Sequence, residues 1–258
     1  MTALTLPLRV YEFWLLQYRR IWRGTVITSI VNPVFYLGAL GLGLGTLVNR
    51  AGGQPLGVPY LDFVAPGMLA ATAMQVANGE ASWPVHGSIT WTRGYFAMLA
   101  TPIGVRDIIF GHQLWMTTRV ASTSAVYLAV IAAFGAVGSF WAILALPACI
   151  LLGLAFTAPI AAYAATVETD GKFVPVNRFV IMPMFLFSGT FFPVERLPVP
   201  LEWIAYVTPL WHGVDLCRDL TLGRVDALAA LGHIAYLLAF VVGGLVWALR
   251  THAARLLK

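Results

Sequence analysis

The chain has 258 residues, 59% hydrophobic and only 10% charged, with a mean hydropathy of +0.80 and a formal net charge of +5. A soluble domain carries about 25% charge; a water-facing fold of this size has no core large enough for so much apolar surface, so lipid is the solvent for much of it. The basic residues are scattered through short stretches, which favours topology signals over a nucleic-acid patch.

In chain order, residues 9–23 (RVYEFWLLQYRRIWR) come first. Val10, Trp14, Tyr18 and Ile21 share one helical face, and Arg9, Glu12, Arg19, Arg20 and Arg23 the other, with Leu16 intruding. The pattern predicts an interfacial helix over residues 1–24; a charged flank that only sets topology is the alternative. These charges also break the apolar run a signal peptide needs.

A helical span needs about 20 mostly apolar residues. Six stretches qualify: 25–48, 61–84, 108–136, 140–166, 174–192 and 227–249. Pro183 in the fifth predicts a kink. Six spans put both termini on one side. That side holds eleven basic residues (Arg9, Arg19, Arg20, Arg23, Arg93, Arg106, Lys172, Arg178, Arg250, Arg255, Lys258). The other has four, Arg50, Arg196, Arg218 and Arg224, while Arg119 falls inside a span. The positive-inside rule therefore places both termini in the cytoplasm. No internal repeat or low-complexity tract divides the chain, which reads as one domain over 1–258. Fourteen arginines against two lysines suit a GC-rich bacterial genome.

The loop between the second and third spans (WTRGYFAMLATPIGVRD, 91–107) is apolar in its middle. Tyr95, Phe96, Met98, Leu99, Ala100 and Ile103 do not belong in a water-facing loop. Thr101-Pro102 predicts a helix start, with Arg106-Asp107 leading into the next span. An apolar patch ringed by charge suits a protein-docking site, and resting on the membrane is the alternative. Glu80 and Arg119 lie within spans, where an ionisable group is costly unless paired or hydrated. An antiparallel neighbour would bring them together, either as a cavity-lining hinge pair or as a pair that fixes register.

Residues 193–226 are too apolar for a free loop. Thr208-Pro209 is a start signal and Gly223 a stop, which predicts short helices near 199–206 and 209–221 that dip into the outer interface and return. Asn32-Pro33 and the aromatics Tyr36, Trp83, Phe134, Trp141, Phe156 and Tyr163 either line a path or anchor span ends. Cys149 and Cys217 suggest neither a disulfide framework nor a metal site, and His86, His112, His212, His233 and His252 are dispersed. There is no P-loop, G-x-S-x-G or H-E-x-x-H motif. The pattern gives no support to an ion-coupled transporter, which shows related halves and mid-membrane acids, or to an intramembrane enzyme with converging ligands.

Two strings carry a resemblance: residues 185–224 (FLFSGTFFPVERLP…PLWHGVDLCRDLTLGR) and 95–107 (YFAMLATPIGVRD). They resemble the permease subunits of type-2 ATP-binding-cassette exporters, most closely the bacterial lipo-oligosaccharide exporters of the nodulation-factor type. The resemblance covers nearly the whole chain. It implies an all-α membrane protein of six spans in a bacterial inner membrane, paired as a homodimer above two ATPase subunits. ATP and Mg would bind those partners, leaving no cofactor or catalytic residue here. Tyr95, Met98, Leu99, Ala100, Thr101, Pro102, Ile103, Arg106 and Asp107 would form the coupling segment lodged in the ATPase. Glu80 matches a glutamate usual where the second span meets that loop. Phe187, Phe191 and Phe192, with Glu195 just beyond, would end the fifth span near the dimer axis and form an apolar gate, or else simply pack or face lipid. Ser188 and Gly189 would allow close helix approach there. The cargo implied is a lipo-oligosaccharide or other glycolipid; an amphiphilic drug or antibiotic is the alternative.

Overall fold

The computed structural model describes residues 5–52 and 55–257 and contains no β-strand among them. Besides short 3-10 turns, nine helices follow in order among the described residues. α1 is Thr5–Arg50, which carries a π-helical stretch at Gly38–Leu44; α2 is Tyr60–Thr90; α3 is Gly94–Leu99; and α4 is Val105–Ala133. α5 is Phe140–Thr166, and α6 covers residues 173–187 with a π-helical stretch at Asn177–Ile181. Two short helices, α7 (Val199–Val207) and α8 (Pro209–Leu222), precede α9 (Ala227–Leu256).

α5 is the hub. It packs against α2, α4, α8 and α9, while α1 packs along α4. Buried alanines and Gly153 line its faces and let backbones approach. The contact with α9 depends on Gly244, where an added Cβ would sit 2.6 Å from the Pro159 ring. Gly111 of α4 plays the same part for α1, lying directly beneath Val10 and the Pro7 carbonyl. Buried side chains form two main clusters. The one at the near end of the bundle joins Val10, Trp14, Tyr95, Ile108, Phe173 and Leu256. The one toward the far end joins Tyr60, Met68, Leu152, Leu210, Val214 and Cys217.

Among the described residues four helices are long and apolar enough to cross a membrane: Thr5–Arg50, Val105–Ala133, Phe140–Thr166 and Ala227–Leu256. They coincide with the first, third, fourth and sixth expected spans. The second expected span corresponds to α2, which has 31 residues, carries Asp62 and Glu80 and is not among the four. Most of α2 is buried against neighbouring helices, so its faces need not match lipid.

Three expectations are corrected. The interfacial helix does not stop before residue 25: α1 runs unbroken through Gly24, and Val10 and Trp14 are buried against protein. The fifth apolar segment leaves the helix at Phe187, five residues before 192; Gly189 takes a left-handed φ of +80° there and the chain bends. The helix within the 91–107 loop is Gly94–Leu99, ahead of Thr101-Pro102 and not after it. The Thr101 hydroxyl turns back and donates to the Met98 carbonyl at 2.6 Å, closing α3 instead of opening a new helix. α4 is opened by Asp107, whose carboxylate accepts from the Gly104 amide at 2.9 Å.

Candidate functional site

At the near end, α2 stops where Trp91 folds back over Gly87. Arg93 then adopts a left-handed φ of 52°, reversing the chain into α3. The reversal drives Tyr95 into the bundle, where it is 2% exposed and shares a hydrogen bond with Nδ1 of buried His112 on α4. The His112 ring stacks on Trp14 of α1 at 3.9 Å, and the Tyr95 ring lies 6.1 Å from that of His252 on α9. One tyrosine thus ties the six-residue α3 to three long helices.

The other residues of the expected docking segment divide between two faces. Met98, Leu99 and Ile103 pack on the near-end cluster. Ala100, Thr101, Pro102 and Arg106 are exposed, together with Phe96 and Ala97. Asp107 is committed to capping α4. The outward surface is therefore Phe96, Ala97, Ala100, Thr101 and Pro102, flanked by Arg93 and Arg106.

Deeper in the bundle, Glu80 and Arg119 meet. Arg119 Nε donates to Glu80 Oε1 at 2.9 Å, and its Nη1 donates to the Tyr18 hydroxyl at 3.0 Å. The guanidinium also lies 4.5 Å over the Tyr18 ring. The pair joins α2 to α4 and, through Tyr18, to α1. Other polar contacts also cross between helices: Gln113 donates to Thr157 across α4 and α5 in a buried contact, and Asn78 donates to Asn177 across α2 and α6 at 2.7 Å in a half-buried one.

At the far end, the bend at 188–192 is held by three clamps. Arg218 Nη2 donates to the Gly189 carbonyl at 2.6 Å, with its guanidinium 3.9 Å over the Phe63 ring. The Tyr60 hydroxyl donates to the Phe191 carbonyl at 3.2 Å. The Ser188 and Thr208 hydroxyls pair at 2.9 Å. Phe191 turns inward, edge-on to Phe185 at 5.2 Å and against the far-end core. Phe187 lines a separate cleft with Phe179, Pro183, Leu201 and Ile204. Phe192 is half-buried and Glu195 is exposed in the following turn. The three phenylalanines are therefore not gathered into one cluster within a single chain.

Sequence reasoning missed the roles of Arg218, Tyr18 and His112, because each acts on residues distant in sequence. It also missed a titratable group on α8 and α9. His212 and His233 approach at 2.8 Å between their Nδ1 atoms, and His233 Nε2 lies 3.3 Å from Asp215. Burial, with His233 reinforcing it, pushes the His212 imidazole down to about 4. Burial, reinforced by the Asp215 charge, pushes the Asp219 carboxyl up to about 6. The buried Cys149 and Cys217 thiols share a hydrogen bond at 3.6 Å and form no disulfide.

A sequence-family model described as ABC-2 type transporter matches residues 11–222. Among curated proteins, the chain is 35% identical over 237 residues to nodulation protein J of Rhizobium leguminosarum bv. viciae, covering 89% of each. It is 32% identical to nodulation protein J of Rhizobium meliloti, covering 88% of this chain and 85% of that one. It is 30% identical over 250 residues to nodulation protein J of Bradyrhizobium diazoefficiens, covering 93% and 92%.

Proposed function

Because the chain belongs to the ABC-2 type transporter family, we propose that it is the permease half of an ATP-driven exporter for a lipo-oligosaccharide or related glycolipid. It is an integral membrane protein that works with an ATP-binding partner. In this reading two copies pair in a bacterial inner membrane with both termini cytoplasmic. Two separate ATPase subunits sit below them and carry ATP and Mg. The near end of the bundle then faces the cytoplasm and the far end faces outward. The six-span plan belongs to the same reading. α2 supplies the second crossing. α6, at about 1.5 Å per residue, reaches only about 22 Å of a core about 30 Å thick. The bent segment 188–192 and the interface-dipping α7 and α8 complete that side.

The observation that carries the reading is the construction of α3. Its inner face is fixed to α1, α4 and α9 through Tyr95, while its outer face, from Phe96 to Pro102, stays open between two arginines. A surface so anchored transmits a push from a docked partner as a rigid-body tilt of three helices. The segment 187–192 is the outer gate of the route, closed by phenylalanines from both copies, since one copy alone does not cluster them. The test is co-purification of this chain with the ATP-binding subunit of its transporter. Charge reversal at Arg93 and Arg106 is expected to release that subunit while the chain still inserts. Undiminished co-purification would remove α3 and its flanks as the docking site.

The identity of the relatives favours a sugar-bearing cargo over an amphiphilic drug, because all of those named above are nodulation protein J.

A further inference from the structure

Halfway along the bundle α1, α2 and α4 enclose an open cleft of about 230 Å³. Its lining is unlike its surroundings: Ser29 and Asn32 from α1, Thr72 and Gln75 from α2, Arg119 and Thr123 from α4. Arg119 stands at the middle of the apolar helix Val105–Ala133 and Gln75 at the middle of Tyr60–Thr90, which on the permease reading sets the cleft at mid-membrane depth. The Asn32 and Gln75 amides are exposed on the surface of the single chain. Behind them the Thr123 hydroxyl is fully buried, yet it has no hydrogen-bond partner among the described residues. Exposed primary amides are costly against lipid tails, which offer them nothing. That face therefore meets something polar.

The chemistry of the lining selects the occupant. Amides and hydroxyls each both donate and accept. The one cation, Arg119, is already matched by Glu80 at 2.9 Å. A phosphate or carboxylate would find no free charge here, whereas a polyol would find donors and acceptors in a neutral frame. Resting on the permease reading above, we infer that this cleft is a subsite of the transport route that binds sugar hydroxyls at mid-membrane. Asn32 and Gln75 supply direct hydrogen bonds, and the Glu80–Arg119–Tyr18 network holds the three helices apart at the right spacing. The subsite gives the hydrophilic part of a glycolipid a polar path while its tails stay in lipid.

The experiment uses the full chain, assembled with its ATPase in phosphatidylcholine nanodiscs, and the single variants Asn32→Cys and Gln75→Cys. Both positions are exposed, and the native cysteines are buried, so the wild type serves as the blank. Phe35→Cys, at an exposed apolar position of α1, is the lipid-side control. A charged, membrane-impermeant maleimide is expected to label positions 32 and 75 but not 35. Dodecyl maltoside is expected to slow that labelling about tenfold relative to dodecylphosphocholine, the ratio that one or two neutral hydrogen bonds give. Absence of labelling at 32 and 75 overturns the inference and assigns the face to a second copy or to lipid. Equal protection by both amphiphiles overturns sugar recognition. Co-purification of the ATPase is read on the same samples: if it is retained and labelling fails, the cleft is refuted and the permease reading stands. Loss of the ATPase from the wild type would instead count against the permease reading itself.

Discussion

Tyr95 on the short α3 and His112 on α4 share a buried hydrogen bond, and the imidazole stacks on Trp14 of α1. This contact determines whether a force applied to α3 reaches the bundle or is dissipated in the loop. Tyr95→Phe keeps the ring packing and removes the bond, at about 1–3 kcal/mol because His112 stays buried without its partner. The expected result is normal insertion, a modestly lower Tm and fewer substrate molecules moved per ATP. Tyr95→Ala also opens a cavity, at about 3–5 kcal/mol, and is expected to lower the amount of folded protein. Transport per ATP equal to wild type in Tyr95→Phe would show that the bond plays no part in coupling.

The Glu80–Arg119 pair is enclosed, with side chains 21% and 9% exposed. Removing one partner of such a pair costs about 3–5 kcal/mol, because the other charge is left in a poor solvent. Arg119→Met alone is therefore expected to destabilise the chain more than Arg119→Met combined with Glu80→Gln. Thermal unfolding in detergent measures both. A double variant no better than the single one would mean that the two charges are not energetically coupled.

Arg218 fixes the bend at Gly189, and Gly189 holds a φ of +80° that an L side chain resists. Arg218→Met and Gly189→Ala are each expected to loosen 188–192 and raise dye leakage from proteoliposomes. Phe191→Ala with Phe192→Ala is expected to do the same. Leakage unchanged in all three would leave this segment with a packing role and no gating role.

Asp219 provides a pH signature for the far end. Its folded carboxyl titrates near 6, raised chiefly by burial. A group raised on folding contributes stability that is full below its unfolded value, about 4, and is lost as pH rises through 6. Asp219→Asn, which mimics the neutral acid, is expected to raise Tm at pH 7.5 and to have little effect at pH 4.5. His212, depressed to about 4, acts in the opposite sense in the same window, losing stability as pH falls. The comparison is therefore made between variant and parent at each pH. A Tm difference between them that does not change with pH would rule out titration of Asp219 in this range.

Local signals were the legible part. Thr208 caps α8 by accepting from Trp211, and Gly223 ends it at φ +72°, as those residues predict from sequence alone. α5 begins at Phe140 and ends at Thr166, the bounds its apolar run sets. Thr101-Pro102 misled because the threonine hydroxyl serves both sides, donating to the preceding Met98 carbonyl at 2.6 Å and accepting from the Ile103 amide at 3.4 Å, without a helix following directly. The end of α6 was hidden for a related reason. Its apolar run continues to Phe192, but the bend is set by Arg218 and Tyr60, which are remote in sequence. The cost of lone charges in lipid marked Glu80 and Arg119 as candidates to pair but left the pairing open, and the third member, Tyr18, required the unbroken course of α1.

The central claim is that this chain is a route driven by nucleotide hydrolysis elsewhere. Its most direct test is ATP-dependent movement of a fluorescent glycolipid in proteoliposomes, measured for the chain alone and for the chain with its ATP-binding subunit. The account predicts no hydrolysis and no uphill movement from the chain alone, both appearing when the subunit is added, and both falling together when Arg93 and Arg106 are reversed in charge. ATP consumption or uphill movement by the chain alone would contradict it.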